Sequence, residues 1–188
     1  MKKYSKKSAI LWIIFSCSMA IVVSVIIFPL LLESETVVSV GHMYPNYSLT
    51  ELAEEADAIE CCKLSKIMPS KLTTNDTGGE IVTTDYVFTS LESDRQIAVR
   101  VLGGTMGDIT VINQDGILEC FNSEEKYVLF LNECVESDES YYTLVTGKAS
   151  VFCIQFESSV SDDTMIIYSA DNQYAVQYKQ LAELIFSK

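Results

Sequence analysis

Only one histidine, His42, occurs in the 188 residues, and it decides most of the nucleophilic chemistry at once. A Cys–His or Ser–His nucleophile needs an imidazole beside it to take its proton, and His42 precedes the part of the chain that reads as folded. Carboxylate-only catalysis instead requires two acids whose pKa values diverge within one cleft. The 26 Asp and Glu residues offer many such pairs and distinguish none. Asp138-Glu139 and Asp162-Asp163 read as solvated loop charges. The sequence therefore assigns no catalytic residue.

Metal and cofactor sites fare no better. Beyond Cys17, the cysteines are Cys61, Cys62, Cys120, Cys134 and Cys153, an odd set without Cys-x-x-Cys spacing. That argues against a zinc site and leaves disulfide pairing open. Cys153, in Val151-Phe152-Cys153-Ile154, reads as a small apolar strand residue. Gly103-Gly104-Thr105-Met106-Gly107 lacks the Gly-Lys-Ser/Thr ending of a phosphate loop and reads as a bend between strands. Asn113-Gln114-Asp115-Gly116 has the glycine of a calcium loop, but that register puts Val111 and Asn122 at the first and last ligand positions. No metal-ligating or cofactor-binding residue is assigned. Asn46-Tyr47-Ser48 and Asn75-Asp76-Thr77 fit a glycosylation pattern, which matters only in a eukaryotic secretory protein. Tyr141, Tyr142, Tyr168, Tyr174 and Tyr178 read as strand packing, with a ligand-binding aromatic face as the sharper alternative.

The elements that would carry any site follow from charge and hydropathy. Lys2, Lys3, Lys6 and Lys7 precede an uncharged run from Ser8 to Leu32. As a helix rising about 1.5 Å per residue the run reaches about 37 Å, enough to cross a hydrocarbon core of about 30 Å. The expectation is a single-pass signal anchor over 8–32, its basic tail (1–7) cytoplasmic and its C-terminal domain extracytoplasmic. Cleavage after Val37-Val38-Ser39 and lipidation at Cys17 are the alternatives. Residues 33–188 hold nine of the 13 basic residues and all 26 acidic ones, a formal net charge of −17. That excludes a nucleic-acid partner and leaves cations, basic peptides or a basic protein surface in the cell envelope.

Residues 33–47 read as a juxtamembrane spacer, and a folded domain is expected over 48–188. Ser48-Leu49-Thr50-Glu51 is a capping box for a helix over 49–57, with Tyr47 and Leu52 as its staple. Apolar alternation then predicts strands at 58–67, 81–91, 96–102, 108–113, 117–121, 127–132, 141–146, 150–156 and 164–169. Residues 68–79 read as loop, Glu92-Ser93-Asp94-Arg95 and Asp115-Gly116 as turns, and 175–186 as a helix packing Val176, Leu181, Leu184 and Ile185 on the sheet. Strands following one another without intervening helices predict a mainly β fold, a small antiparallel barrel.

Several of these segments, in this order, resemble a family of uncharacterised membrane-anchored or exported bacterial proteins. They are Tyr47-Ser48-Leu49-Thr50-Glu51-Leu52, Ala56-Asp57-Ala58-Ile59, Tyr86-Val87-Phe88, Val101-Leu102-Gly103-Gly104, Glu125-Lys126-Tyr127-Val128-Leu129-Phe130-Leu131 and Gly147-Lys148-Ala149-Ser150-Val151-Phe152. More distantly, the order over about 47–155 resembles the netrin-like module of tissue metalloproteinase inhibitors. That implies an OB-like barrel. Those inhibitors engage zinc through an N-terminal Cys-x-Cys that this chain lacks, and the usual Lys-Gly is replaced around Glu92-Ser93-Asp94, so inhibition is not implied. The expectation is a non-enzymatic extracytoplasmic binding domain. A cell-envelope enzyme with a carboxylate site, or a regulator acting through its anchor helix, are the alternatives.

Overall fold

Ser48 caps the first helix as its chemistry predicts. In the computed structural model, which describes residues 36–41, 44–74, 78–136, 139–154 and 165–187, helix α1 (Leu49–Glu55) carries both halves of the capping box. The Ser48 N–H donates to the Glu51 carboxylate at 2.7 Å, and the Glu51 N–H to the Ser48 hydroxyl at 3.3 Å. The helix ends before the expected Asp57. Ala56 is already extended, and the Asp57 carboxylate accepts from the Glu133 N–H at 2.9 Å, turning the chain into the next strand. The basic tail, the apolar run 8–32 and Cys17 lie outside the described residues. Among the described residues no helix is long and apolar enough to cross a membrane.

The fold is mainly β. The strands are β1 (Thr36–Val40), β2 (Ala58–Ile67), β3 (Lys71–Thr74), β4 (Glu80–Ser90), β5 (Gln96–Leu102), β6 (Gly104–Met106), β7 (Ile109–Asn113), β8 (Lys126–Glu136), β9 (Glu139–Leu144), β10 (Val151–Ile154), β11 (Ile166–Tyr168) and β12 (Ala175–Gln177). Helix α2 (Tyr178–Ser187) follows. β2 pairs with β4, β4 with β5, β8 with β9 and β8 with β2, all antiparallel, and β5 meets β9 in parallel. The pairing thus returns to the strand from which it starts. β10 takes the half of the β8 edge that β9 leaves free, and β3 extends along β4 beyond β2. A separate small sheet runs β1-β7-β6, and β11 pairs with β12.

Strand periodicity sorts the apolar side chains into two cores. Tyr127, Leu129 and Leu131 of β8 join Phe88, Val99 and Cys62 in one, while Val128 and Phe130 join Leu52 of α1, Phe152 and Leu181 of α2 in the other. A strand buried on both faces needs a continuous apolar run, which is why residues 127–131 lack alternation. Each fully buried Leu or Phe contributes about 1.5–3 kcal/mol. In the first core Phe88, Phe121 and Tyr127 pack edge to face with centroids 5.1–6.1 Å apart. The Tyr127 hydroxyl accepts from the Asn122 N–H at 2.6 Å and bonds the Glu125 carboxylate at 2.9 Å.

Five local expectations need correction. The segment read as a spacer contains β1, beside β7, and the segment read as loop contains β3, whose four residues all pair with β4. Residues 117–119 form a 3₁₀ turn rather than a strand, since Ile117, Leu118 and Phe121 all face the first core, which strand alternation forbids. Residues 175–177 are β12 and not helix. Asp171 caps the preceding turn, accepting from the Ser169 hydroxyl at 2.7 Å and the Gln173 N–H at 2.9 Å, and this folds Val176 back against Ile167. The glycine segment holds β6 as well as a bend. Gly104 has φ +128°, and a Cβ there would meet the Ser70 and Thr84 hydroxyls.

Candidate functional site

A lone arginine in the apolar strand Ile97-Ala98-Val99-Arg100-Val101-Leu102 organises the outward face of the sheet. Val99 and Val101 point into the first core, so alternation places Arg100 and Leu102 on the other side. The β4–β5 register sets Asp85 opposite Arg100 and Thr83 opposite Leu102. Asp85 accepts from the Arg100 Nε–H at 2.8 Å and from Nη2–H at 3.2 Å. Nη2 also donates to Glu139 at 3.2 Å, and Lys71 lies 2.9 Å from Asp85 and 3.4 Å from Glu139. The Tyr141 ring lies under the guanidinium at 3.7 Å, and its hydroxyl donates to Glu136 at 2.7 Å.

The cluster holds two cations and three carboxylates in a setting where the arginine side chain is only 8 % exposed. Burial alone would raise the Asp85 carboxyl, but hydrogen bonds from Arg100 and Lys71 outweigh it and hold that group below its ordinary value. The same donors, Arg100 first, lower Glu139. Arg100 is raised by its bonds to Asp85, so it stays charged. Burial, then the bond to Glu136, pushes the Tyr141 hydroxyl to about 12.

Beside this cluster opens a cleft of about 730 Å³, within the range of about 300–1,000 Å³ usual for ligand sites. Thr83, Leu102, Arg100 and Tyr141 line it from β4, β5 and β9; Leu72, Ile81 and Val82 from β3 and β4; Val38, Val40, Ile109 and Val111 from β1 and β7. Glu80 and Glu136 also line it. The Thr83 side chain is buried, and its hydroxyl has no hydrogen-bond partner among the described residues. Such an orphan group costs about 1–3 kcal/mol. The fourth contact of the arginine is long, Nη1 standing 3.6 Å from Glu136.

No protein family, curated protein or solved structure matches this chain.

Of the residues weighed from sequence, Glu139 and Tyr141 belong to this site and the others do not. His42 and Asn75-Asp76-Thr77 lie outside the described residues, as do Asp138, Asp162 and Asp163. Glu139, read as a solvated loop charge, is exposed but opens β9 and accepts from Arg100 and Lys71. Asn113-Gln114-Asp115-Gly116 is a turn, its Asn113 side chain accepting from the Asp115 N–H at 3.0 Å. Cys61, Cys62, Cys120, Cys134 and Cys153 are free thiols. Among the described residues no group of three His, Cys, Asp or Glu is placed to hold a metal ion. Of the five tyrosines singled out, Tyr141 reaches the cleft, while Tyr174 stacks on Phe152 and Tyr178 packs in the second core. Sequence reading passed over Arg100 and Thr83. The signal for Arg100 was present as a single charge inside an apolar strand.

Proposed function

We propose that residues 48–188 are an OB-like barrel acting as a non-enzymatic, extracytoplasmic binding domain, held at the membrane by the uncleaved anchor 8–32. The ring of pairings β2-β4-β5-β9-β8 supports the barrel, because a meander of three strands closed by a parallel contact is the OB arrangement. In that fold the second and third barrel strands carry ligands, and here those strands are β4 and β5. The observation that carries the binding reading is the buried, unpartnered Thr83 hydroxyl on the wall of an aliphatic cleft.

Site-specific photocrosslinking of the full chain in cells tests this. A crosslinking residue at Leu102, inside the cleft, should give a discrete adduct, whereas the same residue at exposed Ile166 should give only background. Equal or absent adducts at both positions would overturn the reading. Labelling of Ile166→Cys in intact cells by a membrane-impermeant maleimide, against a background lacking the other cysteines, tests orientation: no labelling until the membrane is broken would refute an outward domain.

A further inference from the structure

We infer that the occupant of the cleft is an extended peptide segment of another protein, alternating aliphatic and basic residues and added as a strand. The inference rests on the binding-domain reading and names what that site takes. Two strands that line the cleft, β1 and β3, each pair on one side only among the described residues, β1 with β7 and β3 with β4. Unpaired strand edges hold rows of N–H and C=O groups that a partner strand satisfies, its alternate side chains then entering pockets along the sheet.

The pocket walls say which side chains. Leu72 and Ile109 are 45 % and 43 % exposed, and with Val38 they present aliphatic surface to solvent. Covering it favours aliphatic partners. Charge supplies the second half of the pattern. Arg100 and Lys71 are already held by Asp85 and Glu139, whereas Glu80 is exposed and Glu136 has about half of its side chain in water. The rim is negative on balance, since Asp85, Glu136, Glu139 and Glu80 outnumber Arg100 and Lys71, in a segment whose formal net charge is −17. Phosphate and carboxylate ligands meet repulsion here, and the arginine that would clamp them is occupied. An anionic lipid headgroup meets the same rim. A lysine or arginine at every second position meets carboxylates, and the Thr83 hydroxyl serves a passing peptide group.

The test uses the full chain in a neutral maltoside detergent and fluorescent hexapeptides in which lysine alternates with valine, isoleucine or leucine. Binding should weaken about tenfold when the lysines become glutamates, and as much when alternate amides are N-methylated, which blocks strand pairing and keeps the side chains. Glu80→Lys with Glu136→Lys should weaken binding by a similar factor and Thr83→Val about threefold, while Ile166→Ser changes nothing. Equal affinity for the lysine and glutamate series, indifference to N-methylation, or no binding below about 1 mM across the panel would each overturn the inference. Binding of phosphatidylglycerol vesicles in place of the peptides would also overturn it and leave the binding-domain reading standing. Loss of the Leu102 crosslink in cells, by contrast, strikes that reading itself.

Discussion

Asp85 and Arg100 face each other across the β4–β5 ladder, and Asp85 receives two hydrogen bonds from one guanidinium, at 2.8 and 3.2 Å. This fork-to-fork geometry holds the arginine with its central carbon 3.7 Å from the centre of the Tyr141 ring. Removing the arginine leaves Asp85, Glu136 and Glu139 with only Lys71 among them. Arg100→Ala should therefore destabilise the domain by about 3 kcal/mol, the magnitude usual when one partner of a buried pair is deleted. Arg100→Lys should recover only part of this, since an ammonium cannot bridge both Asp85 oxygens. Urea midpoints of the two variants check the order.

Thr83→Val should act in the opposite direction on stability. It removes a buried hydroxyl that has no partner, so the unliganded domain should gain about 1 kcal/mol while losing affinity for its ligand. Thermal unfolding with and without the lysine hexapeptide reads both effects. A loss of stability would mean that the hydroxyl is satisfied in the free protein.

Acid should loosen the same cluster. Asp85 and Glu139 titrate below their ordinary values, so their contribution is present above about pH 4 and is lost as pH falls through the lowered values. The stability difference between the natural chain and Asp85→Asn should shrink as pH falls below about 4. At the alkaline end Tyr141, raised to about 12, should cost stability as pH climbs from about 10 towards that value. Denaturation curves at stepped pH, with Tyr141→Phe as the comparison, separate the two ends.

Ser48→Ala should cost about 1 kcal/mol, because it removes one bond of the capping box and frees the helix that lays Leu52 on the second core. Ser48→Asp should retain most of the stability. A shared midpoint for all three proteins would show that α1 forms without its cap.

The thiols should be slow to react in the folded domain. Burial, and then the bond from its Sγ to Glu125 at 3.2 Å, raises Cys153 to about 12, and burial lifts Cys62 well above its usual value. Iodoacetamide at pH 8 should modify both at rates at least about a hundredfold below those in urea. Peptide mass mapping after short exposures measures this, and comparable rates in the two states would contradict the buried positions.

How much of this was legible beforehand depended on the range of the interactions involved. The capping box and the strands 58–67 and 96–102 are written in local pattern, and each lies where its residues place it. β1, β3 and β12 are short, and they exist through partners distant in sequence or across a turn, so their own residues do not announce them. Ile117 to Phe121 carries an apolar content that suits strand and turn alike, and only the shape of the first core selects the turn. Tyr141 was visible as one aromatic among several. Its relation to Arg100 and Asp85 depends on register, which brings together residues from β4, β5 and β9 and which no spacing along the chain encodes.

Only one residue pair, Val99 and Tyr142, joins β5 to β9, while the other steps of the ring are ladders of several pairs. Side chains take over where the backbone is sparse. Arg100 of β5 grips Glu139 and Tyr141 of β9. At the other end Arg95, bonded to Glu60, reaches the Tyr142 hydroxyl at 3.5 Å. The β5–β9 seam is thus riveted by two guanidinium groups, and ionic strength reaches the exposed Arg95 rivet far more than the buried Arg100 one.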